Sequence, residues 1–242
     1  MKTYVFLADG FEILETFAPV DVLKRCGAEV VTVSTEKDLL VASSQNNIVK
    51  ADVMLSDIDY ETADLIVIPG GYPGYVNLRE NKEVVDIVKY FLDNDKYVAS
   101  ICGGPTIFSY NDLANGTKLT AHSSVREEIE KNHIYVDVTT HVDRKIITGV
   151  GAGQAINFAF KIAEQFFDKE KISSEFNIVD ENKEYFEFED KDENRDVYRI
   201  FIYEKMLSVD FKNPKKIDSL EEAYTERGSN IIYKDENTII VG

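Results

Sequence analysis

The chain has 242 residues, 44 % of them hydrophobic, which suits one large domain, alone or with a small appendage, and excludes a disordered polypeptide. Its net charge of −17, from 27 basic and 44 acidic residues, argues against nucleic acid or an anionic membrane as a partner. No apolar run approaches the ~18 residues that span a bilayer, and the N-terminus enters a strand-like segment with no signal-peptide pattern, so a cytoplasmic location is expected.

Thr3–Ala8 reads as a buried strand, followed by a turn at Asp9-Gly10. A helix over Glu12–Arg25 follows, because Ile13, Leu14, Phe17, Val20 and Leu23 recur at helical spacing. Pro19 should kink or divide it, and Gly27 is placed as its stop. Glu29–Val33 is the next strand, and short, partly antiparallel strands are expected over Leu39–Met54. Asp64–Ile68 is an apolar strand ending in Pro69-Gly70-Gly71, and Lys82–Asp93 is an amphipathic helix. The strand Tyr97–Ile101 runs into Cys102-Gly103-Gly104-Pro105, where a short helix should start. Lys118–Ala121, Ile134–Val138 and Lys145–Thr148 are strand-like, Val125–Lys131 helical, and Gly151-Ala152-Gly153 opens a helix through Ala155–Phe167. Strands alternating with helices imply a mostly parallel sheet covered on both faces, with reactive groups at the carboxyl ends of its strands.

The composition changes after Asp168. Between Asp180 and Asp196 nine acids and three bases interleave with Tyr185, Phe186 and Phe188. Val197–Tyr203 alternates like a half-exposed strand, Ser219–Arg227 reads as a helix, and Asn230–Lys234 with Thr238–Val241 reads as a hairpin. The expected organisation is an α/β domain over 1–167 and a small acidic, β-rich C-terminal extension over 168–242.

Two cysteines, Cys26 and Cys102, cannot form a disulfide framework or a Cys-rich zinc site, and His122, His133 and His141 show no metal-ligand spacing. No protein metal site and no cofactor are expected. Cys26 reads as a small buried residue, and His133 and His141 as surface residues. Cys102 lies on a strand–Cys–Gly–Gly–Pro–helix turn, which exposes a side chain above the sheet edge and aims backbone N–H groups at it. The Gly103 N–H, with one from Gly70 or Gly71, would make an oxyanion hole. The competing reading is an inert cysteine at a strand end. Glu12 and Glu15 share one helical face, and a carboxyl beside the thiolate would have its pKa raised and could carry a proton; alone, the pair reads equally as two solvated acids at a helix start. His122 follows an apolar strand, where a general acid/base or a structural side chain would both fit.

Together these stretches resemble the ThiJ/PfpI (DJ-one) superfamily, in its Parkinsonism-associated deglycase branch. The resemblance is carried by Ala8-Asp9-Gly10-Phe11-Glu12-Ile13-Leu14-Glu15-Thr16, Ile68-Pro69-Gly70-Gly71 and Ala99-Ser100-Ile101-Cys102-Gly103-Gly104-Pro105-Thr106. Weaker matches are Thr120-Ala121-His122 and Thr148 to Gly153. It implies a flavodoxin-like three-layer sandwich, usually a homodimer, related to class I glutamine amidotransferases. Within it Cys102 matches the elbow cysteine, Glu15 the acid bonded to it, His122 the nearby histidine, and Gly71 and Gly103 the backbone donors. Gly103 stands where the protease branch carries histidine, which argues against a peptidase. Val150 stands where many deglycase-branch members carry arginine.

The implied activity is a cysteine-dependent, cofactor-independent glyoxalase or deglycase acting on small 2-oxoaldehydes or their adducts. The alternatives are a redox-sensing stress protein that uses an oxidisable Cys102, and a hydratase of another small electrophile. The partner is a small-molecule electrophile in each enzymatic reading.

Overall fold

The computed structural model describes residues 1–176 and, beyond them, the backbone of five strands. Two compact units divide at Glu175/Phe176. In the first, the strands are β1 (Lys2–Leu7), β2 (Glu29–Ser34), β3 (Leu40–Ala42), β4 (Ile48–Lys50), β5 (Val53–Met54), β6 (Leu65–Ile68), β7 (Tyr97–Ile101), β8 (Lys118–Leu119), β9 (Ile134–Tyr135), β10 (Thr140–Asp143) and β11 (Ile146–Gly149). The helices are α1 (Ile13–Arg25), α2 (Gly74–Glu80), α3 (Lys82–Asp93), α4 (Thr106–Tyr110), α5 (Arg126–Ile129), α6 (Ala155–Ala163) and α7 (Lys169–Phe176).

Seven strands form one sheet in the order β10-β11-β7-β6-β1-β2-β5. All neighbours are parallel except β10 and β11. Alternate residues of β1 serve the two faces. Tyr4 and Phe6 join Ile66, Ile68 and Val98 under the α3 residues Val84, Ile87, Val88 and Phe91. On the other side α1 packs on α6, and α6 on β7 and β11. This is the expected sandwich of a mostly parallel sheet between helical layers.

Pro19 does not divide α1, which runs unbroken from Ile13 to Arg25. Gly27 ends it with φ +94°, its N–H donating to Lys24 O (3.0 Å) while Ala28 N–H donates to Leu23 O (2.9 Å). That pairing satisfies the last turn's carbonyls, and the left-handed backbone explains the glycine. Cys26 is buried at this helix end, as expected. The helix expected through Phe167 stops at Ala163, and α7 follows. The short α2 and the edge strand β10 were not read from sequence. The seven residues Gly74–Glu80 are too short for a helical apolar repeat to show, and Thr140-His141-Val142-Asp143 lacks an apolar run. His133 is buried rather than exposed, with its ring edge-on to Phe108, and His141 is partly buried within β10.

The second unit holds β12 (Tyr185–Lys191), β13 (Val197–Tyr203), β14 (Met206–Phe211), β15 (Ile231–Lys234) and β16 (Thr238–Val241). They form one sheet in the order β12-β13-β14-β16-β15, with every neighbouring pair antiparallel. The antiparallel β15–β16 pair is the hairpin read from sequence. The helix expected at Ser219–Arg227 lies outside the described residues.

Candidate active site

Within the main sheet the chain leaves β1 toward β2 on one side and later adds β6 on the other. That reversal opens a crevice at the carboxyl ends of β1 and β6, where α/β sheets hold their ligands. The loops after β1, β6 and β7 meet here. The β1 loop is braced by the β3–β4 hairpin: Gly10 N–H donates to Ala42 O (2.7 Å), Ala42 N–H to the Asp9 carboxylate (2.8 Å), and Ser44 N–H to Phe11 O (2.8 Å). It also interlocks with the β6 loop. A Cβ on Gly71 (φ +88°) would fall 2.4 Å from Glu12 N and from Gly10 O, so only glycine fits.

Cys102 sits at φ +64°, left-handed backbone that is costly for a residue with a side chain. The turn holds it there. Cys102 N–H donates to Gly149 O (2.9 Å), Gly104 N–H to Ile101 O (2.9 Å), Thr106 Oγ1 to Gly103 O (2.7 Å), and His122 N–H to Cys102 O (2.9 Å). The thiol is partly exposed, and the Gly71 and Gly103 N–H groups both act on it in the direction that favours the thiolate. The helix that follows, α4, is only 5 residues long. The stabilisation of negative charge therefore comes from these two N–H groups more than from a helix dipole.

Glu15 is fully buried. One carboxyl oxygen, Oε2, accepts the Gly70 N–H at 2.9 Å. The other, Oε1, is buried without a conventional partner, and the Cys102 thiol and the Ala152 N–H are the remaining groups that act on the carboxyl as hydrogen-bond donors. Gly70 is thus committed to Glu15, which leaves Gly71 and Gly103 as the available pair of donors. A Cβ at Gly70 would lie 2.5 Å from Glu15 Oε2 and 2.7 Å from Cys102 Cβ, so the acid, the glycine and the cysteine are in direct van der Waals contact. Glu12 has a different job: its carboxylate caps α1 by accepting Glu15 N–H at 2.8 Å, and its charge adds to the pressure on Glu15.

Burial raises the Glu15 pKa to about 7, opposed by the thiol hydrogen bond. Burial, then the Glu15 charge and its hydrogen bond, push Cys102 up to about 12. The pair therefore holds one proton between about pH 7 and about 12. Cys102 is the better-solvated of the two and has two donors ready, while Glu15 has one firm donor and no exposure. With the proton on Glu15, the charge that opposes the thiolate is gone and the contact is O–H···S⁻.

The His122 imidazole is exposed, with Nδ1 bound to Ser124 Oγ (2.8 Å) and accepting Ser124 N–H (3.2 Å). Its Nε2 has no partner among the described residues. His122 joins the elbow through its backbone, and its ring passes Gly151, where a Cβ would lie 3.6 Å from His122 Cδ2. Val150 is at the next loop, its N–H donating to Thr139 O (3.0 Å). Among the described residues no cluster of three metal-ligating side chains exists, and no helix is long and apolar enough to cross a membrane. Sequence reasoning missed Tyr75, whose ring covers Gly103, and no spacing signal marks it.

Comparison with known proteins supports the family and the fold. Protein dj-1beta of Drosophila melanogaster is 33 % identical over 169 residues, covering 69 % of this chain and 90 % of that protein. The crystal structure of Drosophila melanogaster DJ-1beta matches with a TM-score of 0.70 at 31 % identity, over 73 % of this chain and 95 % of that one. "Glutathione-independent glyoxalase DJR-1.2" of Caenorhabditis elegans is 32 % identical over 167 residues (67 % of this chain, 87 % of that protein), and "Putative cysteine protease YraA" of Bacillus subtilis is 32 % identical over 148 residues (61 % and 87 %). The DJ-1/PfpI family profile matches residues 1–165, and the chain belongs to the DJ-1/PfpI family.

Proposed function

We propose that the protein is a cofactor-independent glyoxalase that converts a small 2-oxoaldehyde such as methylglyoxal to its 2-hydroxy acid. The observation that carries this is the fully buried Glu15 carboxyl packed against Cys102, whose sulfur faces two N–H donors, Gly71 and Gly103. Cys102 Sγ attacks the aldehyde carbon, forming a C–S bond and moving the carbonyl electron pair onto oxygen. The two N–H groups hold that oxyanion. Glu15 or His122 then carries a proton from that carbon to the neighbouring one, leaving a thioester. Water cleaves the thioester, releasing the hydroxy acid and restoring the thiol. A pKa of about 7 suits Glu15 to both taking and giving a proton. The name of the Caenorhabditis elegans relative adds support for the reaction class.

A peptidase lacks its second partner here, because position 103 carries no side chain to serve as a base. Cys102→Ser should abolish lactate formation from methylglyoxal; turnover equal to wild type would overturn the reading. Partial exposure of the thiol favours a second reading, a redox sensor in which peroxide oxidises Cys102 to sulfenic and then sulfinic acid. Mass spectrometry after mild peroxide separates the two, since a Cys102 that stays reduced while aldehyde turnover is robust removes the sensor. A homodimer is part of the proposal, supported by Leu14, Leu40 and Ile48 standing exposed on α1 and the β3–β4 hairpin.

A further inference from the structure

The floor of the site is held from outside by a clamp that the reaction itself does not use. A Cβ on Gly103 would fall 2.5, 2.7 and 2.8 Å from Cδ1, Cε1 and Cγ of Tyr75. The Tyr75 ring therefore lies directly on the peptide whose N–H faces the Cys102 sulfur. No side chain fits at position 103 while that ring is in place, which gives a physical reason for the glycine after the cysteine.

The ring is itself braced. The Arg79 guanidinium carbon lies 5.5 Å from the Tyr75 ring centre and 4.6 Å from that of Tyr110. Arg79 Nη1 donates to both carboxylate oxygens of Glu128, at 2.8 and 3.0 Å. The backbone of Arg79 is tied as well, its carbonyl accepting Asn111 Nδ2 at 3.0 Å. Arg79 Nε is buried without an acceptor. A partly buried guanidinium with one orphaned donor costs stability, so the arrangement is hard to explain as a stabilising device alone. Its effect is to tie α2, α4 and α5 around one tyrosine. The Tyr75 phenol feels the charges of Arg79, Glu128 and Cys102, and burial keeps it protonated.

We infer that Tyr75, braced by the Arg79–Glu128 pair, is a positioning residue that fixes the Gly103 N–H against the sulfur and oxyanion of the Cys102 site. The inference uses the site assigned above but does not require the glyoxalase reaction, because the Gly103 donor acts on the thiolate before any substrate arrives. Losing an oxyanion donor outright costs about 10²–10³ in kcat, and loosening one should cost about tenfold.

The test compares Tyr75→Ala, Tyr75→Leu, Tyr75→Phe and Glu128→Gln in the full chain. Two readouts are used: kcat and KM for methylglyoxal, and the pH profile of Cys102 alkylation by iodoacetamide. Tyr75→Ala should lower kcat about tenfold with KM within about twofold, and move the lower limb of the alkylation profile up by about one pH unit. Tyr75→Phe should match wild type, because packing and not the hydroxyl is at work. Glu128→Gln should shift both readouts in the same direction by less, and Tyr75→Leu stands in if the alanine variant does not fold. A folded Tyr75→Ala or Tyr75→Leu protein with the wild-type alkylation profile overturns the inference. So does a rise in KM at constant kcat, or a Phe variant as impaired as the Ala variant. If wild type turns over no 2-oxoaldehyde, the glyoxalase reading fails while the alkylation arm still decides this one.

Discussion

Replacing Glu15 by glutamine tests the proton-sharing pair directly, because it keeps shape and removes the titration. In the wild type the two groups lose their protons in separate steps, one near pH 7 and one displaced toward about 12. Between those steps the pair holds a single proton, and the thiolate present is the one whose partner is protonated. The rate of Cys102 alkylation should therefore climb in two limbs with a plateau between them. Glutamine carries no charge, so the second and third causes that raise the thiol pKa disappear. The profile should collapse to one limb whose midpoint lies well below about 12. Turnover of methylglyoxal should fall by about 10²–10⁴, the usual worth of a positioned general acid or base, even though the thiol still alkylates. Iodoacetamide labelling followed by mass spectrometry, from pH 5 to 12, measures the first effect, and a lactate assay the second. A Glu15→Gln protein with the same two-limbed profile, or with undiminished turnover, would refute the shared-proton account.

Further outcomes follow from single contacts. Gly70→Ala should abolish turnover while leaving a folded protein, because its methyl would come within 2.5 Å of Glu15 Oε2 and 2.7 Å of Cys102 Cβ; circular dichroism and the lactate assay check this. His133 is buried, with no conventional acceptor for either ring nitrogen, and burial lowers its pKa below 6.5. The unfolded chain then binds the proton first, so its contribution to stability is full above pH 6.5 and is lost as pH falls through the window below it. Urea titrations of His133→Phe between pH 7 and 5 should show a shallower loss than wild type. Phe91→Ala should cost about 3–5 kcal/mol by emptying the core under α3, read as a lower urea midpoint at unchanged slope.

The fold was legible where one signal dominated. Apolar runs placed β1, β6 and β7, and the spacing of Val84, Ile87, Val88 and Phe91 placed α3 at its observed ends, Lys82–Asp93. The turn was legible because the apolar strand Tyr97–Ile101 ends in a cysteine, two glycines and a proline, while the reactive role of that cysteine came from the family resemblance. What stayed hidden depends on neighbours far along the chain. Glu15 and Glu12 look alike in sequence, yet one is fully buried against Gly70 and the other caps a helix. Gly70 and Gly71 are adjacent and the turn left both open as donors; the resemblance pointed to Gly71, and the contacts show that Gly70 serves Glu15. His133 sits in the polar run Glu130-Lys131-Asn132-His133 and is buried by long-range packing under Phe108. Tyr75 carries no motif; its place over Gly103 follows from how α2 lies on α4.

The same Glu15 that organises the site should weaken the fold, and the sign of that effect separates function from architecture. Its folded pKa, about 7, lies above the ordinary value of 4.5. The native state therefore holds the proton more tightly than the unfolded chain, so Glu15 favours folding most below pH 4.5, and that advantage is lost as pH rises through about 7. At pH 8 the native Cys102–Glu15 pair carries one buried negative charge, at a cost of about 3 kcal/mol relative to a solvated acid. Glu15→Gln removes that cost. The variant should melt several degrees higher than wild type at pH 8, with the gap closing by pH 5. A residue kept for packing would show the opposite, a variant less stable at every pH. A higher melting temperature joined to lost turnover is the signature expected of a carboxyl retained for its proton. A Glu15→Gln protein destabilised equally at pH 5 and pH 8 would instead make the acid a structural element and leave the Cys102 thiol without its proton partner.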